Sequence, residues 1–165
     1  MKYLTYGWYL TKHRCFVMMA CFRRGLIWRG LKHDLSKYSP TEWSAYAQRF
    51  YGKEKKTNRD KTGYYPPNAT SNPKYRKAWL HHVHKNDHHW QHYCSVNDAD
   101  TGGVILLPMS KNAVKEMICD WIGAGKAQKN PTTCKEWFHV NKVHMHLHTD
   151  TELLIRQYLA KWFII

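Results

Sequence analysis

At 165 residues, 43% of them hydrophobic, the chain has room for one domain with a sizeable core and too little for two. Twenty-six lysines and arginines against twelve acids give a formal net charge of +14, which favours polyanionic partners without identifying one. Five scattered cysteines with no CxxC pair argue against a disulfide framework and a thiolate zinc site, and the apolar run Cys15 to Phe22 is too short to span a membrane, so a reducing, cytoplasmic setting is expected.

Residues Lys2 to Ile27 read as a long central helix. Leu4, Trp8, Cys15, Met18 and Phe22 make one apolar stripe at helical spacing, and Tyr9, Phe16, Val17 and Ala20 make a second, which His13 joins. Gly25 and Gly30 loosen the chain before His33-Asp34, expected in or at the end of a helical turn. Ser39-Pro40-Thr41-Glu42 then starts a helix, with Ser39 as N-cap, Pro40 at the first helical position and Glu42 reaching back as a capping box. That helix runs from about Pro40 to Phe50 and buries Trp43, Tyr46, Ala47 and Phe50.

From about 52 to 77 the chain has almost no aliphatic side chain and reads as a basic surface loop or lid. Six histidines (His81, His82, His84, His88, His89, His92) then crowd between Ala78 and Tyr93, in a segment that is helical from Tyr75, falters near Asn86-Asp87 and gives way to a loop through Gly102-Gly103. Pro108-Met109-Ser110 opens a helix with Ala113, Val114, Met117, Ile118 and Trp121 at core spacing, ended by Gly123 and Gly125. Asp120 lies on or beside that stripe and needs a partner, because an unpaired buried carboxylate would neutralise or destabilise the fold. Residues Gln128 to Lys135 read as a loop, and His144, His146 and His148 alternate as exposed histidines of an extended linker. Thr149 to Glu152 is a capping box launching a terminal helix at about 150–163, with Leu153, Leu154, Tyr158 and Trp162 inward. With no strand ladder and no internal repeat, the expectation is a single all-α domain.

In chain order the buried-looking polar residues are His13, His33-Asp34, histidines between 81 and 89, and Asp120. A divalent-metal site needs neutral imidazoles and ionised carboxylates converging from several rigid elements, and this set supplies both. A dense histidine cluster inside an aromatic segment fits that chemistry better than it fits filler.

The order His, His-Asp, His, His, Asp on successive helices resembles the HD-domain superfamily of metal-dependent phosphohydrolases. HDLSKYSPTEW, HHVHKNDHHWQHY and EMICDWIGAG more closely resemble an uncharacterised bacterial and phage family of unknown function, over roughly His13 to Gly125. The resemblance implies an HD-like helical bundle in which His13, His33, Asp34 and Asp120 hold one metal. Asp34 would bridge to a second ion held by His82 and by His88 or His89. His81, His84 and His92 would support or pack. Lys37, three residues after Asp34, would reach a substrate phosphate. Where the close family often has Pro-Glu after its His-His pair, this chain has Trp90-Gln91, which leaves that point without a supporting carboxylate.

The implied activity is hydrolysis of a nucleotide, a cyclic nucleotide or another phosphate ester by two divalent transition-metal ions (manganese, iron, cobalt or zinc), in the cytoplasm of a bacterium or a phage-infected cell. Its expected partner is a phosphate-bearing small molecule; the charge also admits nucleic acid, and no membrane is expected. The oxygenase branch of the superfamily uses much the same ligand order for two irons, so a di-iron oxygenase is the first alternative. A basic nucleic-acid-binding protein with a structural metal is the second.

Overall fold

Seven helices, three 3-10 turns and one short hairpin make up the residues that the structure, a computed structural model, describes: 1–52, 72–98 and 102–163. The helices are α1 (Lys2–Phe22), α2 (Ile27–Lys32), α3 (Pro40–Tyr51), α4 (Pro73–Lys85), α5 (Lys111–Gln128), α6 (Cys134–Asn141) and α7 (Thr149–Trp162). Strands β1 (Cys94–Val96) and β2 (Val104–Leu106) pair antiparallel, with Ser95 opposite Ile105. The all-helical expectation holds apart from this hairpin, whose turn region includes Gly102 and Gly103 at φ +62° and +103°, the backbone region in which glycine is at ease. Most of the basic loop expected at 52–77, and with it any role as a lid, lies outside the described residues; its last part is helix, because Asn72 caps α4 by accepting from the Lys74 and Tyr75 amides.

Helix α1 lies between the two halves of the molecule, packed on α3 on one side and α5 on the other. Its buried residues are Tyr6, Leu10, His13, Val17, Ala20 and Cys21, the first five at alternating spacings of four and three that make one narrow seam. Of the expected stripes the second is the buried one in part, through Val17 and Ala20. The first is wrong: Leu4 is 80% and Trp8 66% exposed. A polar residue in the middle of the true seam, His13, broke the apolar pattern that would have revealed it.

The half formed by α1, α3 and α4 packs Tyr6, Leu10, Tyr46, Ala47, Tyr75 and Ala78, with Tyr46 edge-on to Tyr75 at 5.4 Å between centroids. The other half packs α5, α6 and α7 around Val114, Met117, Ile118, Phe138, Ile155 and Leu159. Helix α5 does not end at its glycines. It continues to Gln128 and stops at Lys129, whose φ of 56° is left-handed. Gly123 serves close approach instead: a Cβ there would sit 2.3 Å from Val17 Cγ2 and 2.9 Å from the Val17 nitrogen.

Two further departures concern caps. Helix α6 starts at Cys134, inside the loop expected over Gln128 to Lys135, and continues to Asn141 where no element was expected; Thr133 and Glu136 form its capping box. Helix α7 is capped by His148, whose Nδ1 accepts from the Asp150 amide, while Thr151 is buried and its Oγ1 accepts from the Met109 amide. Ile155 and Leu159 fill the core where Leu153, 52% exposed, was expected. No helix among the described residues is long and apolar enough to cross a membrane.

Candidate metal centre

The seam of α1 delivers His13 to a point faced by four other segments. Between α2 and α3 the chain breaks from helix: His33 is extended, with ψ 126°, and Asp34 takes φ 56°, the left-handed region that Asp and Asn tolerate better than other side-chain-bearing residues. A 3-10 turn, Leu35–Tyr38, follows. His33-Asp34 thus stand at the end of a helical turn, one of the two places expected for them: His33 caps α2 and Asp34 precedes the 3-10 turn. The break leaves carbonyls without helical partners, and Arg14 on α1 satisfies two of them, donating from Nε to the His33 oxygen at 2.9 Å and from Nη2 to the Leu31 oxygen at 3.0 Å. Helix α4 supplies His82, the turn after it His88 and His89, and α5 Asp120.

All seven expected ligands converge. His13 Nε2 lies 3.1 Å from Asp120 Oδ1 and 3.5 Å from Asp34 Oδ2; His33 Nε2 lies 3.5 Å and 3.4 Å from the same two oxygens. On the other side of the carboxylate, Asp34 Oδ1 faces His82 Nε2 at 3.4 Å and His88 Nε2 at 3.6 Å, and His89 Nε2 is 2.8 Å from His82 Nε2. Asp34 thus belongs to two groups, one with His13, His33 and Asp120 and one with His82, His88 and His89. Both His88 and His89 sit in the second group, the alternative that sequence left open.

These groups could hold metal ions. Donor atoms bound at about 2.0–2.2 Å to one ion stand roughly 3–3.5 Å from each other, which is the spacing observed. Moreover, His13 Nε2, His33 Nε2, His88 Nε2 and Asp34 Oδ1 are buried without a hydrogen-bond partner among the described residues, while Asp34 Oδ2 has the Lys37 ammonium beside it. Four such atoms aimed at one another are costly unless a cation shares them.

The centre has an outer tier that sequence reading missed. Glu42, completely buried, does not reach back to its own helix start; it accepts from His82 Nδ1 at 2.8 Å and from His81 Nδ1 at 2.7 Å. Ser39 alone caps α3, accepting from the Glu42 amide. Glu116 on α5 lies 2.9 Å from His33 Nδ1 and 3.2 Å from His88 Nδ1 and is gripped by Arg29, which also holds Asp87. Asn86 donates to Ser36 Oγ and to the His82 carbonyl, both at 2.8 Å, fastening the turn to the 3-10 segment. Glu116 precedes Asp120 by one helical turn, an i, i+4 relation visible in the sequence; Glu42 gave no such signal, because its position explained itself as a cap.

Electrostatics follow from this crowding. Burial pushes the Asp34 carboxyl up, but His33, Lys37 and His82 outweigh it and hold it well below the usual carboxylate range. Burial likewise opposes ionisation of Glu116, yet its hydrogen bonds with His33 and His88 lower it to about 2. Burial would strip His33 of its proton, but Asp34, Asp120 and Glu116 raise it to about 10, so a cation must displace that proton. Burial wins at His82 and His89, both lowered, which leaves neutral imidazoles fit for ligation. Lys37 Nζ lies 2.5 Å from Asp34 Oδ2.

The remaining histidines stay apart from the centre. His84, His144 and His146 are exposed, and His92 donates from Nδ1 to the Val83 carbonyl at 2.9 Å. No curated protein and no solved structure matches the chain. A family model described only as a family of unknown function, DUF5662, matches residues 2–161, and the chain belongs to that family.

Proposed function

We propose that the protein is a metal-dependent phosphohydrolase of HD type that works with two divalent ions on a nucleotide, a cyclic nucleotide or a related phosphate ester. The observation that carries this reading is Asp34, whose two oxygens each face a separate set of ligands, as a carboxylate shared between two ions must. His13, His33, Asp34 and Asp120 would hold one ion, and Asp34, His82, His88 and His89 the other. Ions held there supply Lewis acidity toward a phosphoryl oxygen and a water acidified for in-line attack on phosphorus. The chain's own part is to fix the donor atoms, to exclude bulk water from the buried carboxylate, and to present the partly exposed Lys37 ammonium to a phosphate oxyanion.

Protein reconstituted with manganese or cobalt should release phosphate or a monoester from a panel of nucleotides and cyclic nucleotides, and chelation should abolish it. Iron-dependent oxygen consumption with an absorbance change, and no ester cleavage with any metal, would replace this reading with the di-iron oxygenase.

A nucleic-acid substrate is supported by a separate observation. A groove of about 750 Å³ among α1, α5 and α7 gathers Arg23, Arg24, Lys115, Lys126 and Lys161 and no carboxylate among the described residues. Arg24 lies over the Trp162 ring at 4.1 Å. Such unbalanced charge concentrates polyanions. Reversing Lys126 and Lys161 to Glu together should weaken binding of a labelled single-stranded oligonucleotide about tenfold or more and flatten its salt dependence by roughly two units of slope. Unchanged anisotropy titrations would remove nucleic acid from the candidate substrates.

A further inference from the structure

We propose that Glu116 is the positioning residue that sets both metal subsites at once. The inference rests on the two-ion reading above and concerns how that site is held. A single oxygen, Glu116 Oε1, lies 2.9 Å from His33 Nδ1 and 3.2 Å from His88 Nδ1. His33 belongs to the ligand group with His13 and Asp120, His88 to the group with His82 and His89. One carboxylate oxygen therefore accepts a hydrogen bond from an imidazole of each group. With Nδ1–H committed to Glu116, each ring turns a free Nε2 lone pair toward Asp34, the only tautomer that can ligate there.

The other oxygen fixes the arrangement. Arg29 Nε donates to Glu116 Oε2, and the same guanidinium donates to Asp87, the neighbour of His88. Glu116 is itself 4% exposed and cannot rotate away into solvent. The pairing thus ties α2, α5 and the turn carrying His88 into one unit. The other outer carboxylate, Glu42, serves histidines of one segment only, His81 and His82. The two glutamates therefore differ in kind: Glu116 spans both subsites and Glu42 supports one.

Glu116→Gln separates this role from bulk and shape. A glutamine keeps the size of the side chain but has one acceptor oxygen and one NH2. If its oxygen faces the histidines, its NH2 points at the Arg29 N–H; if it flips, its NH2 meets both Nδ1 atoms and forces their protons onto Nε2, where the ions should bind. Either way both subsites suffer. Competition with a chelator should show both zinc-binding steps weakened by about 10- to 100-fold in Glu116→Gln, whereas Glu42→Gln should weaken one step only.

Nitrogen-15 spectra of the zinc-loaded protein, histidine-labelled, supply a readout that mere destabilisation would not move selectively. Wild type should show carboxylate-bonded Nδ1–H signals for His33, His88 and His82, and Glu116→Gln should lose the first two and keep the third. Wild-type zinc affinity in both steps with all three signals intact would overturn the inference while leaving the metal site standing. His33, His88 and Glu116 also form a group that could hold an ion of its own; loss of such a third ion alone, with the other two retained, would make Glu116 a ligand and also overturn the inference. A wild-type chain that takes up no zinc, manganese or iron would instead overturn the metal reading itself, and this inference with it.

Discussion

Replacing Asp34 by Asn should strip the chain of both ions and lower ester hydrolysis on the order of a thousandfold or more, because its carboxylate is the one side chain common to both ligand groups. Asn is the cleaner substitution. It preserves the side-chain shape and tolerates the left-handed φ of 56°, whereas Ala at that backbone conformation adds about 1–2 kcal/mol of strain to the chemical loss. The variant should nonetheless be less stable than wild type in the absence of metal. Asp34 is completely buried among His33, His82 and Lys37, and removing one partner of a buried charge set leaves the others uncompensated, a loss of about 3–5 kcal/mol. Elemental analysis after reconstitution, beside a phosphate-release assay, reads both effects. Retention of two ions per chain by a folded Asp34→Asn protein would contradict the assignment of Asp34 as the shared ligand.

The second large effect lies in the packing that sets the site. Gly123→Ala places a methyl 2.3 Å from Val17 Cγ2, 2.9 Å from Val17 N and 3.1 Å from Val17 Cα. A side-chain methyl can turn aside but the backbone atoms cannot, so α1 must move off α5. Overpacking of this kind costs about 1–3 kcal/mol, and for a domain of this length each kcal/mol lowers the melting midpoint by roughly 2–4 °C. His13 sits one turn from Val17 on the same buried seam, and its Nε2 lies 3.1 Å from Asp120 on α5. The displacement should therefore weaken the ion held by His13, His33 and Asp120 more than the one held by His82, His88 and His89. Gly125→Ala is the control: nothing lies within 4 Å of a Cβ there, and helix propensity predicts a neutral change or a gain of up to about 1 kcal/mol. Equal melting curves for Gly123→Ala and wild type would show that the α1–α5 approach has slack.

How far the chain could be read in advance differs between its backbone and its chemistry. The helix starts at Ser39-Pro40 and Pro108 to Ser110 were legible because caps and prolines act locally, over three or four residues. The seven residues of the candidate centre were legible as a set because histidines and acids in an apolar setting are costly without a shared purpose. What sequence hid depended on contacts between distant segments. Leu4 and Trp8 look like core residues, yet the seam of α1 is chosen by α3 and α5, which meet it at Tyr6, Leu10 and Val17. Gly123 looks like a helix end and is instead a contact surface. Glu42 satisfies a local rule for capping and is drawn away by His81 and His82, 39 and 40 residues later. Thr133 and Glu136 did carry a readable capping box, so α6 was within reach of the sequence. All five cysteines are free, two of them, Cys21 and Cys119, in the buried contact between α1 and α5.

The account turns on one carboxylate shared by two ions, and a crystal structure of the chain soaked with manganese tests it most directly. Two anomalous peaks roughly 3.5–4 Å apart are predicted, one on each oxygen of Asp34, with His13, His33 and Asp120 around the first and His82, His88 and His89 around the second. A single peak touching one oxygen of Asp34, or metal bound only at the exposed histidines 84, 144 and 146, would contradict it.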